Sequence, residues 1–237
     1  MGYLVNDGVE FTPVALCPSA VFGQGQWFRF FTSEITHAGI IHILCNMCIF
    51  TVWGIDLEKQ FGTLSYLTLN FVIGLISNVL TCSVQYFQAF FMPATLFGMS
   101  VGGSEVMKNC AVGYSNILFG LMMVEAFVGE THTKFFGLFK IRKILVPFVF
   151  LILIQIGMPQ ASFLGHLTGI LAALILKYTG LSLILLPRDA WISDFEKWNN
   201  CVDSLKQNTT YKEADSGQAT LESKSFFKCC RQSSSVQ

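Results

Sequence analysis

A chain of 237 residues that is 52% hydrophobic and 13% charged, with 23 Phe and a mean hydropathy of +0.54, is too apolar for a soluble globular domain and reads as a membrane protein. Its formal net charge of zero gives no electrostatic footprint for a nucleic acid. The charges are also uneven: residues 63–102 carry none, whereas the stretch after Leu186 is rich in them.

The first residues, MGYLVN, are not a signal peptide, because no basic start leads into an apolar core. They miss the myristoylation pattern as well, with Asn6 where Ser or Thr is needed. Beyond residue 37 the apolar runs predict five spanning helices with cores near 38–55, 64–85, 111–127, 144–158 and 161–176. Several fall near or below the ~20 residues of an ordinary span, which implies local thinning or burial among neighbours. Residues 86–110 are expected to form a long apolar loop partly in the interface, and residues 188–237 a polar, disordered tail. The fold class is therefore an all-α polytopic membrane helix bundle. It divides into an N-terminal segment (1–37), a transmembrane domain (38–187) and the tail (188–237).

Orientation follows from Lys and Arg. One side of the membrane carries 13 of them, including Lys59, Lys134, Lys140, Arg142, Lys143 and everything from Lys177 onward; the other carries only Arg29 and Lys108. The tail is thus cytosolic, and residues 1–37, 86–110 and 158–161 face the lumen or exterior. Asn208-Thr209-Thr210 fits the glycosylation pattern but falls on the wrong side. The run Phe226 to Arg231, with Cys229 and Cys230, reads either as a palmitoylated surface patch or as ordinary solvated tail. The eight cysteines are not read as a disulfide framework, and the Cys45/Cys48 spacing, in an apolar helix without a second pair, is read as packing.

Polar side chains inside spans are costly and need a partner or a function. His42, Asn46, Ser115 and His166 stand out, on the first, third and fifth segments, which all run from lumen to cytosol. Taken singly, each is more readily a packing residue. Counted inward at ~1.5 Å per residue, however, Ser115 is about 9 Å deep, His166 about 10 Å, His42 about 7 Å and Asn46 about 13 Å. Three helices thus bring polar groups to one shallow level. Gly165, Gly169 and Ala173 repeat at four-residue intervals, a small-residue pattern for close helix contact, and Gly113 allows a tight turn before Ser115. His42 and Asn46, at i and i+4, share a face. A serine activated by an imidazole base, with His42, Asn46 and the Ser115 backbone N–H as oxyanion donors, is the chemistry this set allows. Glu125 lies about 15 Å from Ser115 along the same helix, so the expected site is a Ser/His dyad and not a triad.

The stretches His37 to Asn46, Gly54 to Gly62, Gly113-Tyr114-Ser115 and Gly165 to Gly169 resemble the HxxxN, ExxxG, GxS and HxxG elements of the rhomboid intramembrane serine proteases, in the same order, over roughly residues 26–178. The run MKNCAVGYSNILFG most resembles the rhomboid-related protein 4 branch, which implies the endoplasmic reticulum. By this resemblance Ser115 is the nucleophile and His166 the general base, with His42 and Asn46 helping to bind the oxyanion. Glu58 and Gly62 would structure the cytosolic turn, and Trp27 and Arg29 the first luminal loop. The resemblance implies substrates that are transmembrane proteins in the same bilayer, entering past the 144–158 helix, where Phe148 and Phe150 form part of a gate. No metal or organic cofactor is implied, and the oligomeric state is open.

Three departures from the family pattern accompany it. Asn116 stands where a glycine is usual and would either crowd the helices or add a hydrogen bond. The usual first spanning helix is absent, so the start is truncated or this is a five-helix form. Ala173 replaces a common glycine. Asn116 and the missing helix motivate the alternative reading, a catalytically inactive rhomboid-like protein that binds or routes membrane clients.

Overall fold

The computed structural model describes residues 12–185 except positions 94, 97, 98, 101, 129, 130, 136 and 138, together with residues 5–6 and 9–10. The expected disordered tail at 188–237 lies outside the described residues. β1 (Val5–Asn6) and β2 (Val9–Glu10) form a minimal antiparallel pair. Two short helices follow, α1 (Pro18–Gln24) and α2 (Arg29–Ile35). α3 (Ile40–Ile49) continues through a π turn (Phe50–Gly54) into α4 (Ile55–Phe61), making one apolar rod of 22 residues. Gly62, at φ +80°, ends that rod and starts α5 (Thr63–Phe91). After β3 (Thr95–Leu96) and β4 (Met99–Ser100) come α6 (Ser115–Glu125), the hairpin β5 (His132–Phe135) and β6 (Phe139–Arg142), then α7 (Val146–Gly157), α8 (Phe163–Tyr178) and α9 (Ser182–Leu185).

Two of these helical runs, Ile40–Phe61 and Thr63–Phe91, are long and apolar enough to cross a membrane; α6, α7 and α8 are shorter apolar helices. The shortness of α6 follows from its place. Every residue from Asn116 to Val124 is buried, so α6 is the axis that α5 and α8 pack around. Its neighbours come close because the contacts are made by glycines: a Cβ on Gly120 would fall 2.5 Å from Ile73 Cγ2 and 3.0 Å from the Gly169 carbonyl. The outward faces are apolar instead of charged, with Ile40, Ile41, Leu44, Phe71, Phe91 and Ile156 all exposed. That surface is what a bilayer covers and water does not.

The segment 86–110 is less loop than the sequence suggests. α5 runs on to Phe91, because no glycine, proline or charge falls between Gly74 and Pro93. The cysteines also need a correction. Cys17, just before α1, is disulfide-bonded to Cys110, and the backbones of Leu16 and Ala111 exchange hydrogen bonds alongside. At a sequence separation of 93, no spacing in the sequence could have announced the pair. Cys45, Cys48 and Cys82 are free.

Candidate active site

Ser115 opens α6, so its backbone N–H has no acceptor within the helix. The chain reaches it through Gly113, whose φ of +115° disfavours any side chain. A Cβ at Gly113 would fall 2.8 Å from His42 Nε2 and 3.6 Å from Asn46 Nδ2. The glycine therefore brings the backbone before the serine directly against the two polar groups of α3. Its own N–H donates to the Ser33 carbonyl at 2.8 Å, which ties this turn to α2.

His166 lies in the first turn of α8, where the Ser162 side chain accepts from the Gly165 N–H at 3.1 Å and caps the helix. Its Nε2 is 2.9 Å from Ser115 Oγ. Phe119, one turn along α6 from Ser115, stacks on the imidazole with centroids 4.4 Å apart and planes at 24°, which holds the ring on edge to the serine. The histidine is buried, and its Nδ1 has no hydrogen-bond partner among the described residues. Glu125 does not supply one. It sits at the far end of α6 in an ion pair with Lys143.

His42 accepts the Ala38 N–H on Nδ1 at 3.4 Å, which leaves the proton on Nε2, the nitrogen that faces Gly113. Asn46, one turn on, is buried, and its Nδ2 has no acceptor among the described residues. A buried amide donor without a partner costs free energy unless something fills it. Ser115, His166, His42, Gly113, Asn116 and Met158 line a cavity of about 580 Å³. Asn46 is not on its wall; the amide reaches the region from behind Gly113.

The remaining motif residues occupy different places. Gly169 faces α6: a Cβ there would overlap the Asn116 carbonyl oxygen. At Gly165 an added Cβ would meet no neighbouring helix within 4 Å, unlike the next position of the small-residue repeat expected on α8. Its nearest neighbour is its own capping serine, with Oγ 3.1 Å from a Cβ position, because the helix has only just begun there. Glu58 accepts from the Thr63 hydroxyl at 2.9 Å across the Gly62 turn. Arg29 is buried and donates to the carbonyls of Thr12 and Ala15, both at 2.6 Å, binding the N-terminal segment to α2. Trp27 is exposed and meets Phe22 edge-on. On α7, Phe150 packs edge-on against Trp53 at 5.3 Å while Phe148 is at the surface.

Sequence reasoning missed Glu34, Ser77 and Asn78 and left the role of Asn116 open. The Asn116 amide donates to Asn78 Oδ1 at 3.0 Å and to Ser77 Oγ at 3.3 Å, so the larger side chain adds hydrogen bonds. Asn78 in turn donates to the Phe30 carbonyl at 2.8 Å and to Glu34 Oε1 at 2.9 Å. Burial pushes the Glu34 carboxyl up to about 8, against the opposing pull of hydrogen bonds from Asn116 and Asn78. Thr168 joins the same layer, within 3.0 Å of Ser77 and 2.7 Å of Thr81. A signal existed in the charge-free stretch of α5, where Ser77, Asn78 and Thr81 recur on one face among aliphatic residues.

A polytopic helix bundle with a serine and a histidine in contact at the mouth of its central helix defines a class of membrane proteins with a serine-centred site. Residues 24–183 match the family model for the rhomboid domain, and the chain belongs to the rhomboid family. Rhomboid-like protein 15 of Arabidopsis thaliana is 31% identical over 190 residues, covering 78% of this chain and 44% of that protein. Rhomboid-like protein 14, mitochondrial, of the same plant is 30% identical over 164 residues, 67% of this chain and 45% of the relative. Rhomboid-related protein 4 of Homo sapiens is 29% identical over 159 residues, 65% of this chain and 46% of the relative. The chain thus spans about half the length of these curated relatives. No solved structure matches it.

Proposed function

We propose that this chain is an intramembrane serine endopeptidase that cleaves transmembrane segments of membrane proteins near the luminal face. The observation that carries the reading is the 2.9 Å contact between His166 Nε2 and Ser115 Oγ at the edge of a cavity. In the reaction, Ser115 Oγ attacks the scissile carbonyl carbon as its proton passes to His166 Nε2. The carbonyl electrons move onto oxygen, and that oxyanion accepts from the Ser115 N–H, His42 Nε2–H and Asn46 Nδ2–H. The three donors suit an oxyanion for different reasons. The first opens a helix, the second has its proton fixed by Ala38, and the third lacks another acceptor among the described residues. The C–N bond then breaks as His166 returns the proton to the leaving amine. Water, deprotonated by the same nitrogen, hydrolyses the acyl ester and restores the serine.

Among the described residues no carboxylate stands behind His166, and ring stacking on Phe119 supplies the orientation that an aspartate gives elsewhere. Substrates enter beside α7, with Phe148 and Phe150 on the path. The disulfide between Cys17 and Cys110 puts residues 17 and 110 on one side of the membrane and favours an oxidising compartment, in keeping with the endoplasmic reticulum lumen and a cytosolic tail. The inactive alternative draws on Asn116, but its amide is engaged by Ser77 and Asn78 while the serine and histidine keep their contact. The test is cleavage of a reporter with a helix-breaking transmembrane segment by the wild type, Ser115→Ala and His166→Ala. Loss of cleavage in both variants, with normal insertion, is the expected outcome; equal cleavage by all three removes the protease reading.

A further inference from the structure

The structure assigns Glu34 as a positioning residue of this site: as the neutral acid it completes a hydrogen-bonded chain through Asn78 and Asn116 that holds the mouth of α6, and its ionisation loosens that mouth. The inference rests on the protease reading above.

Four observations carry it. First, a place is built for the carboxyl. It lies against Gly74 on α5, where a Cβ would overlap Oε1 and sit 2.7 Å from Oε2. Second, the chain of bonds is continuous, from Glu34 Oε1 to Asn78 Nδ2 and from Asn78 Oδ1 to Asn116 Nδ2. Third, Asn116 Oδ1 is buried and lacks a donor among the described residues. The Asn116 side chain lies beside the carboxyl, a contact that on its own favours the carboxylate and is outweighed by burial. A protonated carboxyl has an O–H to offer that acceptor; a carboxylate presents it with a second acceptor. Fourth, Asn116 follows Ser115 directly, and its carbonyl abuts Gly169, three residues beyond His166. Whatever fixes Asn116 therefore sets the register of the serine against the histidine.

Burial favours the neutral form and outweighs the amide contacts of Asn78 and Asn116, which favour the carboxylate. From α5 the carboxyl is faced by Gly74, Asn78 and the helix around them, with no charge among residues 63–93. From the entrance of α6 it is faced by Asn116 and the phenol of Tyr114, whose hydroxyl donates to Asn70. On its own helix, Arg29 is committed to Thr12, Ala15 and Gln26. The direction of the shift agrees, since burial raises the carboxyl to about 8. For a group raised above its unfolded value of about 4.3, the stability it contributes is full below that value and is lost as pH rises through about 8.

The experiment uses the full chain in proteoliposomes, with the same reporter cleaved at pH 6 to 9.5 and melting followed over the same range. Wild type is expected to lose kcat on an alkaline limb centred near 8, with KM little changed. Glu34→Gln, a neutral side chain whose amide can donate to Asn116 Oδ1, keeps the neutral-pH kcat and lacks that limb. Glu34→Ala lowers kcat by about 10- to 100-fold at all pH values, as expected for a misplaced nucleophile. The melting temperature of wild type falls more steeply with pH than that of Glu34→Gln. A limb unchanged in Glu34→Gln, or a Gln variant as impaired as the Ala variant, overturns the assignment. The melting comparison needs no cleavage: if wild type never cuts but the two melting slopes differ as stated, the protease reading fails while the neutral-acid network stands. Identical slopes overturn the network.

Discussion

The Asn116 carbonyl oxygen occupies the space that a Cβ on Gly169 would need, so α6 and α8 touch backbone to backbone one turn below the Ser115–His166 contact. Two helices held this closely cannot absorb even a methyl group without moving the serine relative to its base.

Gly169→Ala is therefore expected to lose reporter cleavage by about 100-fold and to cost about 1–3 kcal/mol of stability through overpacking. Gly165→Ala is the internal control. The nearest atom to its Cβ is the hydroxyl of Ser162, a side chain that can turn aside. Cleavage assays and thermal melts of the two variants in one detergent compare them directly; equal effects would contradict the contact described.

Asn46→Ala removes a buried donor that has no acceptor among the described residues. The expected result is a fall in kcat of about 100-fold with little change in KM, the pattern for a group that engages only the oxyanion. An effect confined to KM would place Asn46 in substrate binding instead.

The fold was legible in the sequence where burial sets the pattern. Apolar runs located the five helices, Gly113 marked a turn before Ser115, and the family resemblance placed another at Gly62; the backbone makes both at positive φ. The meeting of Ser115 and His166 followed from a shared depth, which needs no knowledge of helix rotation. The Glu34–Asn78–Asn116 chain was not legible, because it joins residues 38 to 44 positions apart from three elements, and only their rotation about their own axes brings them together. The Cys17–Cys110 pair was hidden for the same reason. The repeat of Gly165, Gly169 and Ala173 marked the face of α8 on which Gly169 meets α6, but spacing by four does not say where along that face the neighbour begins.

Reduction of the Cys17–Cys110 bond releases the N-terminal segment from the strand of chain that leads into Ser115. Closing a loop of this length is worth roughly 4–5 kcal/mol in the chain-entropy estimate. Cys17→Ser and dithiothreitol on the wild type should lower the melting temperature to the same extent, and dithiothreitol should have no further effect on Cys17→Ser. Glycosylation tags at residue 5 and at the C-terminus give the companion topology test, with modification expected only at residue 5.

Glu125→Gln breaks the pair with Lys143 at the opposite end of α6 from the serine. Cleavage should stay within about 2-fold of wild type, and stability should fall by about 1 kcal/mol or less for a partly exposed pair. A loss of activity as large as that of His166→Ala would reinstate a carboxylate in the mechanism.

His166 makes Ser115 nucleophilic, and a fluorophosphonate probe with peptide mapping by mass spectrometry reads that dependence at the serine itself. A covalent adduct is expected on Ser115 in the wild type and none in His166→Ala, although that variant still inserts in the membrane. Labelling of Ser115 undiminished in His166→Ala, or absent from a correctly inserted wild type, would contradict it.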